Sequence, residues 1–110
     1  MINKDLNLFL TYIFFCKGDI RKDEDINTAL GKCTDEQGKP KLNVLVNCAG
    51  VANAFKIYNF VSQKPQRLKD FTDLVDINIV GTFNVIRLAV PLLAENPANE
   101  SGSYLVAGFS

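Results

Sequence analysis

From Leu42 the chain reads LNVLVNCAG, and this stretch limits the fold more tightly than any other. Val44, Leu45 and Val46 stand side by side with no polar residue between them. That is the pattern of a strand covered on both faces, and such strands belong to parallel sheets flanked by helices. The run ends on an amide, Asn47, and then on three small residues, Cys48, Ala49 and Gly50. Small residues after a strand let a flat group lie against the main chain. Tight helix packing asks for the same residues, so the spacing alone admits both readings.

Neighbouring stretches supply the rest of an alternating pattern. Ile13, Phe14 and Phe15 read as a buried strand closed by Lys17-Gly18-Asp19. From Lys22 to Cys33 the apolar residues Ile26, Ala29, Leu30 and Cys33 recur at helical spacing, with Asp23, Glu24 and Asp25 gathered at the positive end of the helix dipole. Gly38-Lys39-Pro40 breaks the chain, Leu42 to Val46 is the next strand, and Ala49 to Gln66 is loop-like. A long helical pattern runs from Leu68 to Glu95, interrupted at Gly81 and Pro91 and ended by Asn96-Pro97. Tyr104 to Ala107 reads as a third strand after the turn Glu100-Ser101-Gly102. Strand, helix, strand, helix, strand predicts an α/β fold with a parallel sheet of about three strands and two to three helices. Ligands of such sheets lie across the carboxyl ends of the strands, which here carry Asp19 and the Asn47 turn.

Along the long helix, Phe71, Leu74, Val75, Asn78, Thr82, Val85, Ile86, Ala89 and Leu93 share one face, while Ile79, Phe83 and Val90 make the opposite side apolar as well. A helix apolar on two sides needs two covers: the sheet, and either a partner subunit or another part of the same chain. Pro91 removes an internal hydrogen bond at a cost of about 3 kcal/mol in a regular interior, so a bend or a frayed last turn is expected there. Asn78 is an amide on an apolar stripe, a pattern that suits a satisfied core polar group.

Several chemistries are absent. Lys+Arg and Asp+Glu balance at 12 each and no basic run occurs, so neither nucleic acid nor an anionic membrane is expected as a partner. Cys16, Cys33 and Cys48 form no C-x-x-C pair and the chain has no histidine, so no metal site is expected and reduced, buried thiols fit an intracellular compartment. The apolar run Leu6 to Cys16 is well short of the ~20 residues of a membrane span, and Lys17 and Asp19 stand where a signal peptide would have its cleavage site. No two of the glycines stand two apart, which excludes a G-x-G-x-x-G phosphate turn. Tyr12, Tyr58 and Tyr104 are followed four residues later by Cys16, Ser62 and Gly108, so no Tyr-x-x-x-Lys pair is present. Ser-His and Cys-His nucleophile pairs are excluded with histidine itself.

Asp19-Ile20, then Val44 to Gly50, then DINIVGTFNV from Asp76 to Val85, together resemble the middle third of a short-chain dehydrogenase/reductase. Cys48, the loop Lys56-Ile57-Tyr58-Asn59 and GTFNVIRL from Gly81 to Leu88 are most similar to the type-2 3-hydroxyacyl-CoA dehydrogenases, also called 17β-hydroxysteroid dehydrogenase type 10. The likeness implies part of a Rossmann-like, doubly wound parallel sheet, and NAD as the cofactor of a secondary-alcohol oxidation by hydride transfer in fatty acid metabolism. It implies that Asp19 and Ile20 hold the adenine ring, that Asn47, Cys48 and Ala49 pass beside the adenosine ribose, and that Asn78 supports the water of a proton relay. It implies oligomers, of like or related chains, through helix 68–95, and mitochondrial residence, with the cytoplasm as the alternative. Residues 13–107 correspond to the central part of the domain, 1–12 to a poorly matched extension and 108–110 to a divergent tail. The family's first strand and glycine-rich turn have no counterpart upstream, and its Tyr-x-x-x-Lys has none downstream. An internal fragment, inactive alone, is therefore expected. Two other readings stand beside it: a non-catalytic protein that pairs with a full-length relative through the long helix, and a flavodoxin-like nucleotide-binding piece.

Overall fold

The computed structural model describes residues 13–95 and 104–107. Its elements in chain order are helix α1 (Asp23–Leu30), strand β1 (Val44–Asn47), a small hairpin of β2 (Tyr58–Asn59) and β3 (Lys64–Pro65), a long helix, and strand β4 (Tyr104–Ala107). The long helix is α2 (Leu68–Val75), a π-helical stretch (Asp76–Gly81) and α3 (Thr82–Ala94) in direct succession. Strands β1 and β4 pair in parallel, from Val44 opposite Tyr104 to Asn47 opposite Ala107, as α/β folds require of strands joined through a helix. The expected turns at 96–97 and 100–102, the extension 1–12 and the tail 108–110 lie outside the described residues.

Helix α1 begins on Asp23, Glu24 and Asp25, whose charges complement its positive end, and it buries Ile26. Among the described residues the buried apolar side chains are Ile26, Ala89 and Leu93. The chain exposes 8945 Å², against roughly 6,100 Å² for a compact protein of this mass. Large apolar side chains are exposed at particular places among the described residues, including Ile79, Phe83 and Val90 on the outer side of the long helix, which its two-sided apolar pattern predicted to need a second cover.

Several expectations need correction. Residues 13–15 form no strand among the described residues and are exposed, because a segment without a neighbouring strand has no ladder to bury its backbone. In β1, Val44 and Val46 are exposed, so among the described residues only the Leu45 face is covered and the sheet has two parallel strands. The loop 49–66 contains the β2–β3 hairpin. Gly81 and Pro91 do not interrupt the long helix, which continues to Ala94; Phe71, placed on its inner face, is exposed. Cys48 is likewise exposed rather than buried.

By length and composition the Leu68–Ala94 helix, 27 residues with an 18-residue window of mean hydropathy 1.6, would pass for a membrane span. Its polar residues Asn78, Asn84 and Arg87 each bond another segment of the same chain, which makes it the organising helix of the fold.

Candidate functional site

The turn at Asp19 is folded onto itself before anything else touches it. The Lys22 amide donates to the Asp19 carbonyl at 2.9 Å, and the Arg21 amide donates to Asp19 Oδ1 at 2.9 Å, which together close a turn stabilised by the aspartate's own side chain. The Arg21 guanidinium then pairs with the same carboxylate, Nε to Oδ1 at 3.0 Å and Nη2 to Oδ2 at 2.7 Å. These donors, the side chain first, lower the Asp19 carboxyl from 3.8 to about 2. The Asp19 amide donates to Asp25 Oδ2 at 2.8 Å, which fixes the turn to the first turn of α1.

The long helix holds this turn from the other side. A Cβ on Gly81 would stand 2.6 Å from Cγ1 and Cδ1 of Ile20, so the missing side chain is the seat for Ile20. One turn on, Asn84 donates to the Ile20 carbonyl at 3.1 Å and accepts from Arg87 Nε at 2.7 Å. Arg87 Nη2 in turn bonds both carboxylate oxygens of Asp23, at 2.8 and 2.7 Å, and together with Asn84 holds the Asp23 carboxyl below its usual range. Gly81, Asn84 and Arg87 were not among the residues singled out from the sequence as part of a site. Their signal was there: a glycine, an amide and an arginine at steps of three on an otherwise apolar helix, which share one face.

Further toward the start of the helix, in the π-helical stretch, Asn78 meets the second turn. Its Oδ1 accepts from the Val51 amide at 2.8 Å and its Nδ2 donates to the Val51 carbonyl at 2.7 Å. One helix thus registers both turns, Asn78 on the loop after Gly50 and Asn84 on Ile20. The wider π turn carries the first of these contacts and ends before the second, so the helical phase is reset between them, a device common at functional sites.

The structure brings some predicted residues together and leaves others apart. Asp19 and Ile20 line an open apolar cavity of about 290 Å³ with Leu45, Ile26, Leu30 and Val85. Asn47, Cys48 and Ala49 do not line it. Asn47 is 7% exposed, and its Nδ2 has no hydrogen-bond partner among the described residues.

The donor set fits an adenosine group. The Ile20 amide carries no hydrogen bond among the described residues, and neither do the exposed backbones of Cys48, Ala49 and Gly50, so both turns offer the main chain to a ligand. Asp19 would accept from an exocyclic amine only by sharing oxygens that already hold Arg21. Among the described residues no group of side chains could hold a metal ion.

Residues 4–105 match the family model described as short chain dehydrogenase. A 3-hydroxyacyl-CoA dehydrogenase type-2 of Drosophila melanogaster is 41% identical over 90 residues, 82% of this chain and 34% of that protein. The Homo sapiens protein of the same name is 38% identical over 88 residues, 80% of this chain and 33% of its own length. A crystal structure from Burkholderia xenovorans, titled as a short-chain dehydrogenase/reductase, superposes with a TM-score of 0.65 at 26% identity, over 82% of this chain and 34% of that one. The chain spans about a third of the length of these relatives.

Proposed function

The chain belongs to the short-chain dehydrogenase family of oxidoreductases, whose members use NAD or NADP, and from that premise we propose that it supplies the adenosine wall of the cofactor site in an NAD-dependent dehydrogenase of secondary alcohols resembling 3-hydroxyacyl-CoA. In this reading residues 13–107 are the central part of the domain. Ile20 offers its amide to the adenine ring, Asp19 accepts from the exocyclic amine beside Arg21, and the bare backbone of Asn47, Cys48 and Ala49 faces the ribose. Asn78 acts as a positioning residue through the loop after Gly50. When bound, the cofactor supplies the hydride acceptor; the residues named here bind and orient its adenosine half and move no proton. The observation that carries the reading is the single helix that clasps both turns, through Asn78 at Val51 and Asn84 at Ile20.

Amide chemical shifts during titration with AMP and with nicotinamide mononucleotide test it. AMP should move the signals of Asp19, Ile20, Cys48 and Ala49, and nicotinamide mononucleotide should not. Equal effects of the two, or no response to millimolar AMP, would overturn it. We further propose that the chain alone does not turn over, since general acid/base pairs contribute about 10²–10⁴-fold and it contains no Tyr-x-x-x-Lys. Steady NADH formation from a 3-hydroxyacyl-CoA would refute that.

A second reading rests on the outer side of the long helix, where Ile79, Phe83 and Val90 are exposed. There the chain pairs with a full-length relative, in the mitochondrion or the cytoplasm according to where that relative resides. Co-expression followed by size-exclusion chromatography tests it, and separate elution rejects it.

A further inference from the structure

The zero net charge of the chain conceals a local imbalance. From Val51 to Lys69 there is no acidic residue, while Lys56, Lys64, Arg67 and Lys69 supply four cations. This is the stretch that folds into the β2–β3 hairpin, with Tyr58 opposite Pro65 and Asn59 opposite Lys64. Apolar side chains stand at its point: Phe60 is 83% and Val61 97% exposed, and Ile57 at the foot of the ladder is 86% exposed. Exposure on this scale at three neighbouring large apolar residues is unusual on a water-facing hairpin.

The point is also built rather than loose. Asn59 Oδ1 accepts from the amides of Val61 at 2.9 Å and Ser62 at 3.1 Å, so two main-chain donors at the apex are satisfied from within. The rings of Tyr58 and Phe60 meet edge to face at 5.0 Å, and the Gln66 amide closes the ladder on the Ile57 carbonyl at 2.8 Å. A backbone whose donors are already paired can leave water for an apolar layer at little cost, whereas an unpaired one cannot.

Behind the point lies an open cavity of about 400 Å³, lined among others by Lys56, Lys64, Arg67, Ser62 and Gln66. Arg67 is paired with Asp70, which also lines it; Lys56 and Lys64 have no ion-pair partner among the described residues. The buried Gln66 Nε2 has no acceptor there. Unpaired cations and an orphaned donor beside an apolar point make a surface amphipathic in the sense that bilayer interfaces require.

We infer that the Tyr58–Pro65 hairpin docks on the surface of a bilayer containing anionic phospholipid, with Phe60 and Val61 entering the acyl boundary and Lys56 and Lys64 meeting headgroup phosphate. The contact is interfacial, and the long helix stays on the protein side.

Flotation of the full chain with vesicles of phosphatidylcholine alone, and of phosphatidylcholine mixed with phosphatidylglycerol, tests this directly. The mixed vesicles should bind at least about 10-fold more strongly. The chain contains no tryptophan, so Phe60→Trp makes the apex its own reporter, and its emission should shift to the blue with mixed vesicles alone. Phe60→Ser with Val61→Ser should weaken binding about 10-fold or more. Lys56→Ala and Lys64→Ala should each weaken it about 5-fold, less at high salt. Equal binding to both vesicles, an unmoved Phe60→Trp emission in a chain that floats, or no flotation at all would overturn the inference. Inorganic phosphate that releases the chain while the serine variant still binds like the parent would assign the basic cavity to a free phosphate, and overturn it too.

Discussion

At the Asp19 turn side chains do the holding. Asp19 is bonded by Arg21, Asp25 receives the Asp19 amide, Ile20 sits on Gly81 and bonds Asn84, and Asp23 is paired with Arg87. At the Asn47 turn the side chains have been removed. Cys48, Ala49 and Gly50 lie exposed, one amide from Asn78 holds the loop at Val51, and the buried Asn47 Nδ2 bonds nothing among the described residues. The difference separates two ways of fixing a turn. One turn carries its geometry within its own polar network; the other is a bare backbone whose position depends on what packs around it. The first should therefore resist perturbation cooperatively, and the second should respond site by site.

The most severe test is Gly81→Val. A Cβ there would fall 2.6 Å from Ile20, and a branched side chain has no room unless Ile20 and its turn move away. Overpacking of this kind costs about 1–3 kcal/mol, and the upper end is expected here, read as the urea midpoint. The signals of residues 18–23 should shift with it, while those of 48–51 stay in place. Unchanged stability, or equal movement of both turns, would show that Ile20 is not seated on the helix.

Next come the two amides. Asn84→Ala leaves the Ile20 carbonyl and Arg87 Nε without their partner in a buried place, and should cost about 1–3 kcal/mol. Asn78→Ala removes two bonds to a more exposed backbone and should cost about 0.5–1.5 kcal/mol. If the turns are independent, the double variant is the sum within about 0.5 kcal/mol. A larger coupling energy would mean that the helix transmits between them, and the contrast drawn above would fail.

A smaller effect separates the turns by pH. Arg21 holds the Asp19 carboxyl at about 2 against an ordinary 3.8, and Arg87 and Asn84 hold that of Asp23 below its usual range. A carboxyl depressed in the fold contributes stability in full above its unfolded value and loses it as the pH falls toward the folded one. Stability should thus decline from about pH 4 toward 2, with signals of residues 19–23 moving. The Asn47 turn, which contains no carboxylate, should show no such change. Arg21→Gln should shrink the effect; an unchanged pH profile would detach Asp19 from it.

Much of this division was legible in the residues. The unalternating VLV run does form a parallel strand, and the apolar spacing from Leu68 onward does form one helix, because those patterns depend on backbone period alone. What covers each face was not legible, since burial depends on neighbours that periodicity does not name; hence the exposed Val44, Val46 and Phe71. The hairpin was missed because its strands are two residues long and one contains Pro65, a residue that reads as punctuation. Gly81 was read as an interruption because its cause, the Ile20 side chain, comes from a segment 61 positions away. Asp19 and Ile20 were picked out at the end of a strand that does not form among the described residues. That Arg21 already occupies the Asp19 carboxylate followed only from the turn's shape.

The smallest expected effect probes the weaker turn most directly. A buried amide donor with no acceptor loses its hydration and gains nothing, and Asn47 Nδ2 has no acceptor among the described residues, so an apolar side chain of similar shape would forfeit no bond from that donor. Asn47→Leu should accordingly be neutral in the isolated chain or stabilise it by up to about 1 kcal/mol, in contrast to the loss on Asn84→Ala. Thermal and urea unfolding of the two variants side by side decide the matter. A loss above about 1 kcal/mol on Asn47→Leu would mean that the amide does find an acceptor, and then the Asn47 turn, like the Asp19 turn, carries its own polar support.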